Sequence, residues 1–316
     1  MTPTTVREER IPTWLTGVLP VLPTPFTAQD EVDAPALRAL VDFAGRCGVT
    51  TVVTPAFGSE FYKLDGSERQ RVIEIAVACA APRGLHVVAQ CNHATPRVAA
   101  RLAAEARGLG AAAVATALPR AFAVSEPQLL DHARRVCDAT DLPVIVQDWN
   151  PGGQAADAAF FVELHRACAN FRMAKLEEPG VGATIRTLAR ETGGNVGVLS
   201  GWGGSYAIQL HGAGLAGVMP GLALADGFVH LWAQLQAGDR KSAVERFGHI
   251  SPYLQFSLQT FEQFHHAEKR LLVRRGVLSS AIVRPVTVEL DADASAYLDL
   301  LTQQLLVALN PKENSI

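Results

Sequence analysis

A chain of 316 residues that is 48% hydrophobic and 19% charged, with a net charge of −3, has the composition of a globular protein. The near-neutral charge offers no basic patch for nucleic acid or anionic lipid, and no run approaches the ~18 apolar residues of a membrane span. We therefore expect neither nucleic acid nor a membrane as a partner. The length leaves open two domains or one large barrel with an extension.

The residues before the first predicted strand, MTPTTVREERIPTW, lack the apolar segment of a secretory signal. The five cysteines are scattered through apolar segments and include no Cys-x-x-Cys pair. This pattern predicts neither disulfides nor a zinc cluster, and it favours the reduced cytoplasm. We predict no metal and no cofactor, because no group of His, Asp and Glu matches a metal signature.

Short apolar runs alternate with longer amphipathic ones from residue 17 onward. Eight of these runs are predicted to be strands, over residues 17–22, 50–54, 86–91, 112–118, 143–147, 171–176, 196–200 and 216–219. Each run is almost continuously apolar, which is typical of parallel strands that are buried on both faces.

The segments between the strands are predicted to be helices, the first beginning after an N-cap at Asp33 and ending at Gly48. Eight β–α units in order predict a (β/α)8 TIM barrel, an α/β fold. We assign residues 1–14 to a tail, 15–236 to the barrel and 237–316 to a C-terminal helical extension packed on it. A doubly wound open sheet is the alternative, but PVLPTPF rather than a GxGxxG motif follows the first strand.

Lys175 is embedded in the sixth predicted strand, and the chain's other four lysines lie outside the predicted strands. Function in such barrels lies at the carboxyl ends of the strands. Burial lowers the pKa of a lysine, and a neutral amine forms Schiff bases with ketones. The alternative is a structural ion pair with Glu177 or Glu178, and strand position alone does not decide between the two.

Other candidates lie in the loops that follow predicted strands. The backbone of Gly58 and the hydroxyl of Ser59 are predicted to hold a carboxylate, unless AFGSE is an ordinary glycine turn. SGWGGSY, which contains Trp202, is a candidate anion-binding nest or a flexible loop with a core tryptophan. Asp148 and His93 are candidate acid/base groups, although a solvated or capping role is the more frequent one for each.

Several motifs occur in one order along the chain: GVLPVLPTPF, GSEFYKLDGSER, DLPVIVQDWNP, MAKLEE, LSGWGG, GAGLAGVMPGLALA and EKRLLVRRGVLSSAIVRPV. In type and order they resemble the dihydrodipicolinate synthase and N-acetylneuraminate lyase family of class I aldolases over residues 15–310. The resemblance implies a homodimer or homotetramer, with a small 2-oxo acid such as pyruvate as the substrate.

The resemblance also implies individual roles. Lys175 is the residue that forms the Schiff base, and the loop of Gly58 and Ser59 holds the substrate carboxylate. Phe57 and Gly58 stand where the family loop has two threonines. Trp202 and Met219, at the ends of the last two strands, are predicted to line the substrate site.

The departures from the family pattern concern proton transfer. Gln147 stands where the family has a proton-transferring tyrosine, and Arg120 or Ala121 where a second tyrosine is expected. Because glutamine does not exchange a proton near neutral pH, either another group serves or the proton transfers differ. Asp148 is the nearest titratable candidate by sequence, although alternation points it away from Gln147, and Tyr62, His93 and Tyr206 lie on loops at the same end of the barrel. Arg120 suits a second carboxylate or a sugar acid. A true dihydrodipicolinate synthase is disfavoured, since NPGGQ lacks the arginine that holds its aldehyde.

These residues together predict a Schiff-base lyase that acts on a 2-oxo acid. Reversible aldol cleavage with release of pyruvate is the preferred reaction. Dehydration of a 2-keto-3-deoxy sugar acid through the same imine is the first alternative. A catalytically silent barrel that binds a 2-oxo acid is the second, because the tyrosines are missing.

Overall fold

The computed structural model describes residues 10–151 and 153–309. Eight parallel strands form one sheet, in the order β1-β8-β7-β6-β5-β4-β3-β2. Bridges from Val21 to Val53 and to Gly221 join the edges and close the barrel. The strands are β1 (Gly17–Val18), β2 (Thr51–Thr54), β3 (His86–Gln90), β4 (Ala113–Ala117), β5 (Val144–Asp148), β6 (Phe171–Leu176), β7 (Gly197–Ser200) and β8 (Gly217–Val218).

Helices alternate with the strands and continue beyond the last one. The predicted N-cap Asp33 is confirmed, since its side chain accepts the N–H of Ala36 at 3.0 Å. The helices are α1 (Ala34–Arg46), α2 (Gly66–Ala80), α3 (Pro96–Gly108), α4 (Glu126–Asp138), α5 (Ala158–Ala167), α6 (Gly182–Glu191), α7 (Ala207–His211), α8 (Ala225–Gln236), α9 (Arg240–Ser257), α10 (Phe261–Arg274) and α11 (Ala292–Leu309). The predicted (β/α)8 barrel with a C-terminal helical extension is therefore confirmed.

Two apolar cores lie on the two sides of the sheet. The barrel interior is filled by residues that include Val53, Val88, Ile145, Met173 and Leu199. The larger core lies between the sheet and the helices. Because side chains alternate along a strand, the position two residues after an interior one also faces inward. This alternation places the side chains at 147 and 175 inside the barrel, at the carboxyl ends of β5 and β6.

The beginning of the described chain differs from the predicted tail. Leu15 is fully buried in the barrel interior, and Ile11 and Trp14 pack against the same core. Residues 11–14 therefore close the amino-terminal end of the barrel, while residues 1–9 and 310–316 lie outside the described part. Within that part, no helix combines the length and the hydropathy that crossing a bilayer requires.

Candidate active site

A cavity of about 60 Å³ lies at the carboxyl ends of the strands, where the fold predicts function. Its walls are formed by the barrel strands, the loops that follow them and the C-terminal extension. The lining consists of Val21, Ala56, Phe57, Gly58, Gln147, Lys175, Glu177, Trp202, Gly203, Met219, Pro220, Gly221, Leu258, Phe261 and Phe264. Of the predicted site residues, the cavity thus brings together Phe57, Gly58, Gln147, Lys175, Trp202 and Met219.

Lys175 lies on β6, in register with Gln147 on β5 and Leu199 on β7. Its Nζ atom is 2.8 Å from Oε1 of Glu177, and both side chains are buried. The ion pair that the sequence offered as an alternative is therefore present. It lies in the wall of the cavity, so the amine and the carboxylate both face the space that a ligand would occupy.

Glu177 is held by two further donors. Gln147 Nε2 donates to Glu177 Oε1 at 2.6 Å, and the backbone N–H of Trp202 donates to the other carboxylate oxygen. Gln147 Oε1 in turn accepts from Gln90 Nε2 at 2.6 Å. The amide of Gln147 therefore fixes the carboxylate beside Lys175 and is not itself a proton carrier.

Gly201 packs against this carboxylate. A Cβ atom at this position would overlap both oxygens of Glu177. Gly201→Ala is expected to displace the carboxylate and lower kcat at least about 100-fold. Gly212→Ala, at a helix end with open space around it, is the matched control and is expected to keep wild-type kcat. Equal activity of the two variants would contradict a role for the Glu177 position.

The loop after β2 contributes its backbone and Phe57 rather than the Ser59 hydroxyl. Ser59 is fully buried; its Oγ donates to the carbonyl of Leu22 at 2.6 Å and accepts the N–H of Ala56 at 2.9 Å. The structure therefore places this hydroxyl, which was predicted to hold a substrate carboxylate, inside the loop, where it bonds the backbone. Gly58 lines the cavity, and a Cβ there would lie 3.0 Å from Phe264.

Asp148 and Arg120 contact each other outside the cavity. The carboxylate accepts from Arg120 Nε at 2.8 Å and Nη2 at 2.7 Å, and also from the N–H of Ala156 at 2.6 Å. The strand alternation that turns Gln147 inward turns Asp148 outward. The structure therefore places the predicted acid/base group Asp148 and the predicted substrate-binding residue Arg120 in an ion pair outside the described cavity lining.

His93 also lies away from the cavity. It is exposed, and its Nδ1 accepts the N–H of Thr95 at 3.0 Å. This contact is the capping role that the sequence offered as the alternative to acid/base chemistry, and His93 is not among the described residues that line the cavity.

The cavity is covered by aromatic rings, of which the sequence singled out Phe57 but neither Trp149 nor Phe261. Phe57 stacks on Phe261 of α10, with ring centroids 5.1 Å apart, and Trp149 packs edge-on against both rings. Phe261 comes from the extension, as do Leu258 and Phe264 of the lining. The extension therefore completes the site.

Lys269 on α10 ties the extension to the loop after β2. It is almost fully buried, and its Nζ donates to Glu60 Oε1 at 2.5 Å and to the carbonyl of Ile282 at 2.8 Å. Burial lowers the pKa of Lys269 to about 8. A second buried lysine thus exists outside the strands, and its ion pair with Glu60 gives it a structural role.

Lys269→Met is expected to lower the free energy of unfolding by about 3 kcal/mol. The substitution removes the closest cation of the buried Glu60 carboxylate and leaves Lys63 Nζ, at 3.2 Å, as the remaining one, and loss of a partner from a buried ion pair is strongly destabilising. Urea unfolding measures the loss. Lys241→Met, at an exposed position of α9, is the control. A loss of the same size in both variants would contradict the assignment.

Glu268 lies behind the cavity wall that Gly221 forms. Its Oε1 accepts the N–H of Ala223 at 2.7 Å, and burial raises the pKa of Glu268 to about 7. The folded protein therefore binds this proton more tightly than the unfolded chain. The free energy of unfolding must then fall as pH rises from about 4.5 to about 7.

Glu268→Gln is expected to remove this pH dependence. Relative to wild type, the variant should gain about 2–3 kcal/mol of unfolding free energy between pH 5 and pH 8. Urea unfolding at both pH values gives this difference, in which the titration of the other carboxylates cancels. A difference that stays constant with pH would contradict the burial of an ionisable, unpaired carboxyl.

Comparison with known proteins identifies the family of this chain. The model of the dihydrodipicolinate synthetase family matches residues 14–304. An L-2-keto-3-deoxyarabonate dehydratase from Azospirillum brasilense is 29% identical over 296 residues, 92% of this chain and 94% of that protein. An N-acetylneuraminate lyase from Rhizobium meliloti is 30% identical over 135 residues, 43% of this chain and 45% of that protein.

A solved dihydrodipicolinate synthase from Rhodopseudomonas palustris shares the fold, with a TM-score of 0.85 and 24% identity, over 93% of this chain and 99% of that one. The fold and the matches define an enzyme, a lyase of the class I aldolase type. The chain belongs to the dihydrodipicolinate synthetase family. The predicted family and lyase class are thus confirmed, and the full-length match to a dehydratase agrees with the first alternative reaction.

Proposed function

We propose that this protein removes water from a 2-keto-3-deoxy sugar acid through a Schiff base at Lys175. The observation that carries the proposal is the Glu177 carboxylate, held 2.8 Å from the Lys175 amine. Two cavity-lining groups keep it there, the Gln147 amide and the Trp202 N–H. The similarity to a sugar-acid dehydratase over 92% of the chain supports the choice of reaction.

The residues of the cavity supply each step. The Lys175 amine attacks the C2 ketone, and loss of water gives an imine whose protonated form acidifies the C3 proton. Glu177 takes this proton as a general base, and the resulting enamine expels the C4 hydroxyl group. Glu177 returns the proton to the leaving oxygen, which departs as water. Hydrolysis of the imine releases the product and regenerates Lys175.

The substrate carboxylate needs a place opposite the reacting carbons. Gly58 lines the cavity, and a side chain there would crowd Phe264 and Val21. Glycine thus permits a close approach to the backbone. We place the carboxylate against the backbone of this loop, which keeps the predicted role of Gly58 and replaces that of the Ser59 hydroxyl.

Aldol cleavage with release of pyruvate is the second candidate, and the sequence alone favoured it. It uses the same imine, with Glu177 taking the C4 hydroxyl proton instead of the C3 proton. The partial similarity to an N-acetylneuraminate lyase supports it. Dehydration is preferred because the dehydratase matches the chain along nearly its whole length.

Product analysis separates the two reactions. The enzyme is incubated with five-carbon and six-carbon 2-keto-3-deoxy acids, and the products are followed by NMR and by a coupled assay for pyruvate. The proposal expects a product that has lost one water, with the carbon chain intact. Stoichiometric pyruvate and an aldehyde would overturn dehydration in favour of aldol cleavage, and binding without turnover would favour the silent barrel.

We also propose that the protein works in the cytoplasm as a homodimer or homotetramer, as the resemblance implies. The described cysteines are all free, which agrees with a reduced compartment. Light scattering of the purified protein gives the mass in solution. A monomer across the micromolar range would contradict the proposed assembly.

A further inference from the structure

A second depression lies directly beside the cavity. It is an open groove of about 410 Å³ between the loop after β7 and helix α9. Trp202 and Leu258 belong to the linings of both the cavity and the groove. A Cβ at Gly203 would lie 2.9 Å from Leu258, so the loop packs directly on α9 where the two spaces meet. The two spaces are therefore neighbours that share two lining side chains.

Tyr206, in the wall of the groove, interacts electrostatically with Glu177. Tyr206 lines the groove, and its pKa is raised by burial first and then by the charges of Glu177 and Glu178. The phenol is thus close enough to Glu177 for the two groups to interact. A ligand that extends from Lys175 towards this groove must cross Trp202 and Leu258, the two residues that both linings share.

The chemistry of the groove is neutral and hydrogen-bonding. None of its described lining residues is Lys, Arg, Asp or Glu, and hydroxyl and amide groups alternate with apolar ones. The polar members are Ser205, Tyr206, Ser251, Gln255 and Gln259. Such a wall pairs with hydroxyl groups, and it offers no cation for a second carboxylate or a phosphate.

The inner cavity is too small to hold a whole sugar acid. Each atom of about the size of a water molecule needs roughly 10–15 Å³ of cavity volume. The cavity of about 60 Å³ therefore has room for the 2-oxo acid end of a substrate and not for a long chain.

We propose that the groove binds the hydroxylated tail of the substrate, while the cavity binds its 2-oxo acid end. The proposal rests on the proposed function, since it assigns the distal part of the same sugar acid. It makes Gln255 and Gln259 of the groove specificity-determining residues. Both are exposed, and neither side chain has a hydrogen-bond partner in the described structure, so both amides are free to bind hydroxyl groups.

Calorimetric titration with two unreactive acids tests this assignment without any need for turnover. Arabonate carries a hydroxylated tail, and lactate has the same 2-hydroxy acid end without a tail. We expect wild type to bind arabonate about tenfold more tightly than lactate. The double variant Gln255→Ala/Gln259→Ala should lose most of this difference and keep the Kd of lactate. Gln303→Ala, at an exposed position of α11, is the matched control.

The outcomes separate this proposal from the proposed function. Equal binding of the two acids by wild type, or an unchanged preference for arabonate in the double variant, would overturn the tail site. A preference that depends on the two glutamines, together with an absence of dehydration, would support the tail site and overturn only the proposed reaction.

Discussion

Lys175→Ala is expected to reduce turnover of any substrate by at least about 10⁴-fold, because Lys175 alone among the described cavity-lining residues is able to form an imine. Lys175→Arg is the more informative variant. Arginine keeps the positive charge and an ion pair with Glu177, but it does not form Schiff bases. A nucleophilic lysine predicts that both variants are inactive, with steady-state assays on the purified proteins as the measurement.

The purely structural role of Lys175 makes the opposite prediction. If the ion pair with Glu177 is the whole function, Lys175→Arg should keep most of the activity and the Tm, while Lys175→Ala should lose both. Lys241→Arg, on the exposed face of α9, controls for the exchange itself. Substantial turnover by Lys175→Arg would contradict the imine mechanism.

Glu177→Gln is expected to lower kcat by about 10²–10⁴-fold, the range that a general acid–base group contributes. The amide keeps the shape of the side chain and an oxygen for the N–H of Trp202, so KM should change little. Imine formation with pyruvate should continue, since the amine of Lys175 remains. Single-turnover kinetics and mass spectrometry of the trapped imine separate the two effects.

Glu178→Gln is the matched control for this substitution. Glu178 is the next residue in the chain, half-buried, and outside the cavity lining. It is expected to keep kcat within a few-fold of wild type. Equal losses in the two variants would mean that the overall negative charge, rather than the carboxylate beside Lys175, drives the reaction.

The sequence was most informative where a charged residue lay within an apolar segment. The continuous apolar runs predicted buried parallel strands, and the count of eight predicted the barrel. An ammonium inside the sixth run then marked Lys175. The strand rule also put Glu177 on the face of Lys175, yet it was considered only as a structural partner. The absence of the family's tyrosine at 147 was the signal to look for another proton-transferring group, and we propose Glu177 for this role.

Other parts of the site had no such signal. Phe261 joins the cavity from a helix 86 residues after Lys175, and no local pattern shows which helix of an extension covers a barrel. The position of the Ser59 hydroxyl inside the loop could not be predicted, because its backbone partners exist only in the folded loop. The outward position of Asp148 could be predicted, since alternation from Gln147 points it away from the barrel interior.

Borohydride reduction in the presence of pyruvate tests the central claim most directly. The protein is incubated with pyruvate, reduced, digested and analysed by mass spectrometry. The account predicts one reduced pyruvate adduct per chain, located on Lys175 and absent from Lys175→Arg. An adduct on Lys269 instead, or no adduct with pyruvate and a panel of other 2-oxo acids, would contradict it.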